Sequence, residues 1–194
     1  SWCRLPNLCS IPITDGTHNS PPTSSNGDFL YITAKNIKFN GIDLSNSSYV
    51  SKEIHEKIYK RCPVEKNDVL LTKDGTIGEV TVNNLDCQFS LLSSVALIKP
   101  VSYALSWYIT YVLKSDYLQN EMKKNAKGSA LKRIILEQIN SFFIPLPPLV
   151  EQQLIVAEIE KIFAQIDLLE QNKTDLQTAI KQAKSKILDL AIHG

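Results

Sequence analysis

No Gly or Pro occurs between Pro148 and Gly194. This absence limits the chain more than any other feature, because those two residues are the usual helix breakers. One continuous helix is therefore predicted over Leu149–His193. Its 45 residues at 1.5 Å rise make roughly 68 Å, too long to lie on one small domain, so another surface must cover its apolar side. Apolar residues recur there at alternating steps of three and four: Ile155, Ile159, Ile162, Ile166, Leu169, then Lys173, Leu176, Ile180, Ala183, Ile187 and Leu190. This is a coiled-coil heptad seam, with Ile159, Ile166, Ile180 and Ile187 at a positions and mostly Leu or Ile at d. Lys173 sits at an a position, where it weakens the seam but fixes register, its stem covering apolar surface while the ammonium reaches water. The earlier residues offer no second helix of comparable length, so pairing with a helix from another chain or domain is expected. Ile at a with Leu at d favours a parallel dimer, a rule that leaves antiparallel pairing open.

Residues 1–148 read differently. Short β-rich runs, Phe29–Thr33, Asp68–Thr72, Gly78–Val82 and Ser93–Ile98, alternate with turn formers and are predicted as strands. Two amphipathic stretches, Ser51–Arg61 and Tyr103–Lys124, are predicted as helices, the second with Ser102 as its N-cap. Thr14–Asn26, rich in Asp, Gly, Ser, Thr, Asn and Pro, is predicted as an irregular surface loop. The expected architecture is α+β: a β-rich globular domain over 1–148, followed by one long coiled-coil helix over 149–194.

Charge and motifs exclude several functions. Twenty-one Lys and Arg against twenty Asp and Glu leave a formal charge of +1, which is not the balance of a strongly basic nucleic-acid coat. The average hides a division: residues 1–150 hold 16 basic and 13 acidic side chains, and 151–194 hold 5 and 7. No apolar run is long enough to span a bilayer and no signal core follows the N-terminus, so a cytoplasmic location is expected. Cys3, Cys9, Cys62 and Cys87 form no C-x-x-C pair and no tight group with His18, His55 or His193, so no metal and no cofactor is expected. Phosphate-loop, zinc-protease and nucleophile-elbow spacings are absent. Leu146-Pro147-Pro148-Leu149 has leucine on both flanks, where base-flipping amino-methyltransferases need a polar residue before the prolines and an aromatic after them. Asp68 and Asp74 flank a strand and read as turn chemistry. No catalytic residue is assigned.

The positive signal is a cluster of cations. Lys123, Lys124, Lys127, Lys132 and Arg133 surround Gly128-Ser129-Ala130 with no acid among them. Such a turn suits phosphate contacts, since cations release counterions and small residues allow close backbone approach. Lys35 and Asn36 follow a predicted strand and form a second candidate contact. Thr17, His18 and Asn19 could address base edges from the first loop. Lys73-Asp74-Gly75-Thr76-Ile77-Gly78 reads as a tight turn between strands, with Lys73 and Thr76 as candidate contacts and setting of the hairpin as an equal alternative. Ser129 completes the candidate DNA-binding set.

In order along the chain, these segments resemble the specificity subunit of type I restriction-modification systems. The likeness rests on Ile13-Thr14-Asp15-Gly16-Thr17-His18, on Tyr31-Ile32-Thr33-Ala34-Lys35-Asn36-Ile37, and on Asn67 through Gly78. The most specific segment is Ile144-Pro145-Leu146-Pro147-Pro148-Leu149-Val150-Glu151-Gln152 with a long helix after it. The resemblance implies a target recognition domain that reads one half of a bipartite site in double-stranded DNA. It also implies a helix that sets half-site spacing, and partners in a second specificity half or a homodimer, in methyltransferase subunits and in a restriction subunit. Methylation and cleavage would belong to those partners. Because such subunits look like two units in tandem, the chain is expected to be one half. Leu131 stands where a polar residue is frequent in that family. The competing expectation is a coiled-coil scaffold whose globular head binds protein and makes no DNA contact.

Overall fold

The computed structural model describes residues 1–128 and 132–193, and for 189–191 and 193 the backbone only. In chain order the elements are β1 (Trp2–Arg4), a 3-10 turn (Leu5–Leu8), β2 (Thr14–Asp15), β3 (Phe29–Ile32), β4 (Ile37–Lys38), β5 (Gly41–Ile42) and β6 (Ser48–Val50). There follow α1 (Lys52–Tyr59), β7 (Val69–Thr72), β8 (Val80–Val82), β9 (Phe89–Leu91) and β10 (Val95–Ile98). The remainder is α2 (Tyr103–Lys114), α3 (Asp116–Asn125), α4 (Leu136–Asn140), β11 (Phe143–Pro145) and α5 (Leu149–His193). The chain divides into two compact units, Ser1–Gln152 and Gln153–Gly194. The α+β class read from the sequence is the class observed.

The continuous apolar runs Val69–Leu71 and Val95–Ile98 pair antiparallel in the middle of a four-stranded sheet ordered β2-β10-β7-β8. Both faces of these strands are buried, which explains why they read as unbroken hydrophobic runs instead of alternating. A second sheet, β6-β3-β9, joins β3 to β6 antiparallel and to β9 parallel. Ile32, Ile37, Val64, Leu70, Phe89, Leu91 and Leu97 form the shared core. α2 packs against β7 and β8. Two small antiparallel pairs, β1 with β11 and β4 with β5, complete the unit.

Two sequence expectations change. The stretch Tyr103–Lys124 is two helices, because Ser115 is extended (φ −65°, ψ 151°) and is both the C-cap of α2 and the N-cap of α3. Its hydroxyl donates to Val112 O at 2.6 Å, a local bond that competes with helix continuation. Ser102 does occupy the N-cap position of α2, although its side chain makes no capping bond. The segment from Thr14 is not wholly a surface loop: Thr14 and Asp15 pair with Leu97 and Ala96 of β10. Gly16 then passes so close to the β9 backbone that a Cβ there would lie 1.9 Å from Leu91 O.

The first unit includes the opening turn of α5, because Gln152 is buried and its Nε2 donates to Pro147 O at 2.8 Å. Beyond it the helix is regular through His193. The predicted seam is the most apolar line of that helix, and Ile155, Ile162, Ile166, Leu169, Leu176, Ile180 and Ile187 are all exposed in the single chain. The side chain of Leu190 lies outside the described residues. No described helix is long and apolar enough to cross a membrane.

Candidate nucleic-acid interface

Three candidate segments come together on the globular unit, and backbone hydrogen bonds hold them. The β7–β8 turn needs Gly75 at φ +75°, a conformation glycine takes without strain. Gly75 N–H donates to Lys132 O at 3.1 Å and Ile134 N–H donates to Lys73 O at 2.9 Å. Lys127 and Arg133 exchange a pair of backbone bonds of 2.9 and 2.8 Å, so the basic turn closes on itself beside the hairpin turn. Next to these lies a groove of about 860 Å3 lined by Lys35, Asn36, Lys38, Asp74, Thr76 and Ser94, among others. A smaller hollow of about 350 Å3 is lined by Lys127, Gly128, Arg133, Ile135 and Gln138.

Underneath runs a line of alternating charges. Asp15, 3% exposed, receives Arg61 at 2.7 Å and Lys73 at 3.2 Å. Lys73, 5% exposed, also lies 4.0 Å from Asp74, whose Oδ1 accepts from Arg133 Nε at 2.9 Å. Arg61 also donates to the carbonyls of Asp15 and Gly16. The line crosses from the first loop through the hairpin turn to the basic turn. Buried charges of this kind are tolerable only when paired, so each residue holds its neighbours in place.

Two candidate contacts are therefore structural. Lys73 cannot reach a phosphate, since its ammonium is buried between Asp15 and Asp74. Asn36 is buried, its Oδ1 accepting from Thr33 N–H at 3.0 Å and Thr33 Oγ1 at 3.1 Å, and its Nδ2 donating to Asp43 O at 3.0 Å. With its side chain so occupied it shapes the loop that presents Lys35.

The remaining candidates are exposed to different degrees. Lys35, Thr76, Lys127, Lys132 and Arg133 are exposed around the groove and the turn. Thr17 is half-buried. Its backbone bonds to Leu91 O at 2.8 Å and to Ser93 N–H at 2.9 Å, and its Oγ1 accepts from Asn19 N–H at 3.2 Å. His18 and Asn19 are exposed at the tip, with His18 Nε2 3.3 Å from Asp15 Oδ1. Lys123 and Lys124 end α3, where cations favour the carbonyl end of a helix, and Lys124 pairs with Glu121 at 3.2 Å. Ser129 lies outside the described residues. Among the described residues no group of three or more His, Cys, Asp or Glu could hold a metal ion.

Asp15, Arg61 and Asp74 were missed as parts of the interface frame. Both acids precede a glycine, which marks a turn, and nothing in the one-dimensional pattern shows that those turns share a lysine. Asp68, also read as turn chemistry, does cap a turn: it accepts from Glu65 N–H at 2.8 Å and Lys99 Nζ at 2.7 Å.

A profile of the family described as type I restriction modification DNA specificity domain matches residues 3–178. The chain is 30% identical over 154 residues to the type I restriction enzyme EcoBI specificity subunit of Escherichia coli, covering 79% of this chain and 32% of that protein. It is 23% identical over 171 residues to the EcoKI specificity subunit of Escherichia coli strain K12, covering 86% and 36%. The chain thus spans about a third of the length of these relatives. Among solved structures, a chain described under "Structural basis underlying complex assembly and conformational transition of the type I R-M system" superposes with a TM-score of 0.70 at 24% identity, over 97% of this chain and 44% of that one. The HsdS subunit from Thermoanaerobacter tengcongensis gives 0.63 at 25% identity, over 88% and 39%.

Proposed function

The chain belongs to the type I restriction modification DNA specificity family, and on that footing we propose that its globular unit reads one half of a bipartite site in double-stranded DNA. The observation that supports this most is the convergence of Lys35, Thr76, Lys127, Lys132 and Arg133 on one surface, braced from below by buried ion pairs. Exposed lysines hold the backbone, and the hydroxyls of Thr17 and Thr76, with His18 and Asn19, address base edges. The chain itself performs no chemistry: methylation and cleavage reside in modification and restriction subunits that it brings to the site in the cytoplasm. The long helix pairs through its apolar seam with a second specificity half, or with a copy of itself, and sets the spacing between half-sites.

The test is DNA binding as a function of salt. Replacing Lys127 and Lys132 together by Ala should weaken binding to all duplexes and lower the magnitude of the log–log salt slope by about 2, near 0.9 per lost phosphate contact. An unchanged affinity and slope would remove the basic turn from the interface.

A further inference from the structure

We infer that Arg133 is a base-reading residue for guanine, and that Asp74 is its positioning residue. The inference rests on the DNA-reading role proposed above. Arg133 differs from the lysines around it in how it is held. Its backbone N–H and C=O are both bonded to Lys127, at 2.8 and 2.9 Å, and its Nε donates to Asp74 at 2.9 Å. Asp74 is itself fixed: its side chain is 10% exposed, Lys73 lies 4.0 Å behind it, and Lys73 is anchored on Asp15. The Arg133 side chain is nevertheless 57% exposed, and among the described residues its only ion pair is the one with Asp74.

An arginine has five N–H donors in a planar fork. Here one is spent on Asp74, and among the described residues the four on the terminal nitrogens have no acceptor. A fork whose rotation is stopped at Nε presents two parallel donors in a set direction, which is what a pair of adjacent acceptors requires. In duplex DNA, such pairs are the O6 and N7 of guanine in the major groove and the two free oxygens of a phosphate. Lys127 and Lys132, which make no ion pair among the described residues, supply the mobile charge that phosphates need. Orientation of the kind given to Arg133 is required only where direction is read.

Selection of bound sequences from random duplex DNA, by the full chain and by its Arg133→Lys and Asp74→Asn variants, tests this. The native chain should select a site with guanine at one fixed position. Arg133→Lys keeps the charge but loses the fork, and should reduce preference for that guanine by about 10- to 100-fold, with the other selected positions and the melting temperature unchanged. Asp74→Asn should lower preference at the same position by a smaller factor. A loss of affinity equal on all sequences, with the selected bases intact, would assign Arg133 to phosphate and overturn the inference. Unaltered selection by Arg133→Lys would also overturn it, while leaving DNA recognition standing. No selected sequence with the native chain would overturn the DNA-reading role itself, and this inference with it.

Discussion

The two units of the chain solve opposite problems with similar residues. In Ser1–Gln152 even charged side chains are taken inside, Asp15, Lys73 and Asp74 among them, because each has a partner of opposite sign. In Gln153–Gly194 even large apolar side chains stay outside, Leu169 at 67% exposure and Leu176 at 62%. The first unit buries a core of its own. The second is helical by propensity and pattern, but most helical stability in proteins comes from burying one face, and in the single chain that face is exposed.

The largest effect should come from breaking that second surface. Ile166→Asp with Ile180→Asp should abolish self-association, or pairing with another specificity half, in sedimentation experiments. The globular unit's melting transition should stay in place. A chain that is monomeric with and without the substitutions would show that the seam is unused by the chain alone. The next effect probes the first unit. Lys73→Met leaves Asp15 and Asp74 without their shared cation and should cost about 3–5 kcal/mol of folding stability in denaturant titration. Arg133→Ala, whose side chain is 57% exposed, should cost less than about 1 kcal/mol. Similar losses for the two would mean that Lys73 is no keystone.

A smaller effect separates the units by pH. His55 is buried on α1, stacked on Phe29 at 3.8 Å between ring centroids, with Nδ1 3.0 Å from Ser90 Oγ. Burial holds its pKa below the ordinary value, so the fold prefers the neutral ring. The folded pKa is depressed relative to the unfolded one. Its stabilisation is therefore fully present above about pH 6.5 and is lost as pH falls through the folded value. Melting of the globular unit should drop on acidification from pH 7.5 to 5.5, and His55→Gln should flatten that dependence. The seam of α5, which contains no histidine, should pair equally well across the same range.

How much was legible follows from where the information lay. The helix Leu149–His193 could be read to its ends because its pattern is local, repeated, and free of Gly and Pro. The apolar strands could be read for the same reason. Ser115 could not, because serine is tolerated within helices and only its extended backbone and its bond to Val112 O reveal the break. Lys73 and Lys127 look alike in the sequence, each beside a glycine turn. One is buried and the other exposed because Asp15 arrives from a distant strand, and that arrival is a property of the sheet, not of the neighbouring residues. Local signals therefore picked out segments that the fold brings together, but not that Lys73 and Asn36 within them are buried.

The close seat of Gly78 on α3 has a kinetic consequence. Gln119 Nε2 donates to Gly78 O at 2.8 Å and to Leu113 O at 2.9 Å, and a Cβ at Gly78 would lie 2.6 Å from the Gln119 amide. The turn that presents Thr76 is thus fastened to α3 at one end and to Lys132 at the other. A surface ordered before it meets its ligand loses little conformational freedom on binding. Substitutions confined to that turn should then change how long a complex lasts far more than how fast it forms.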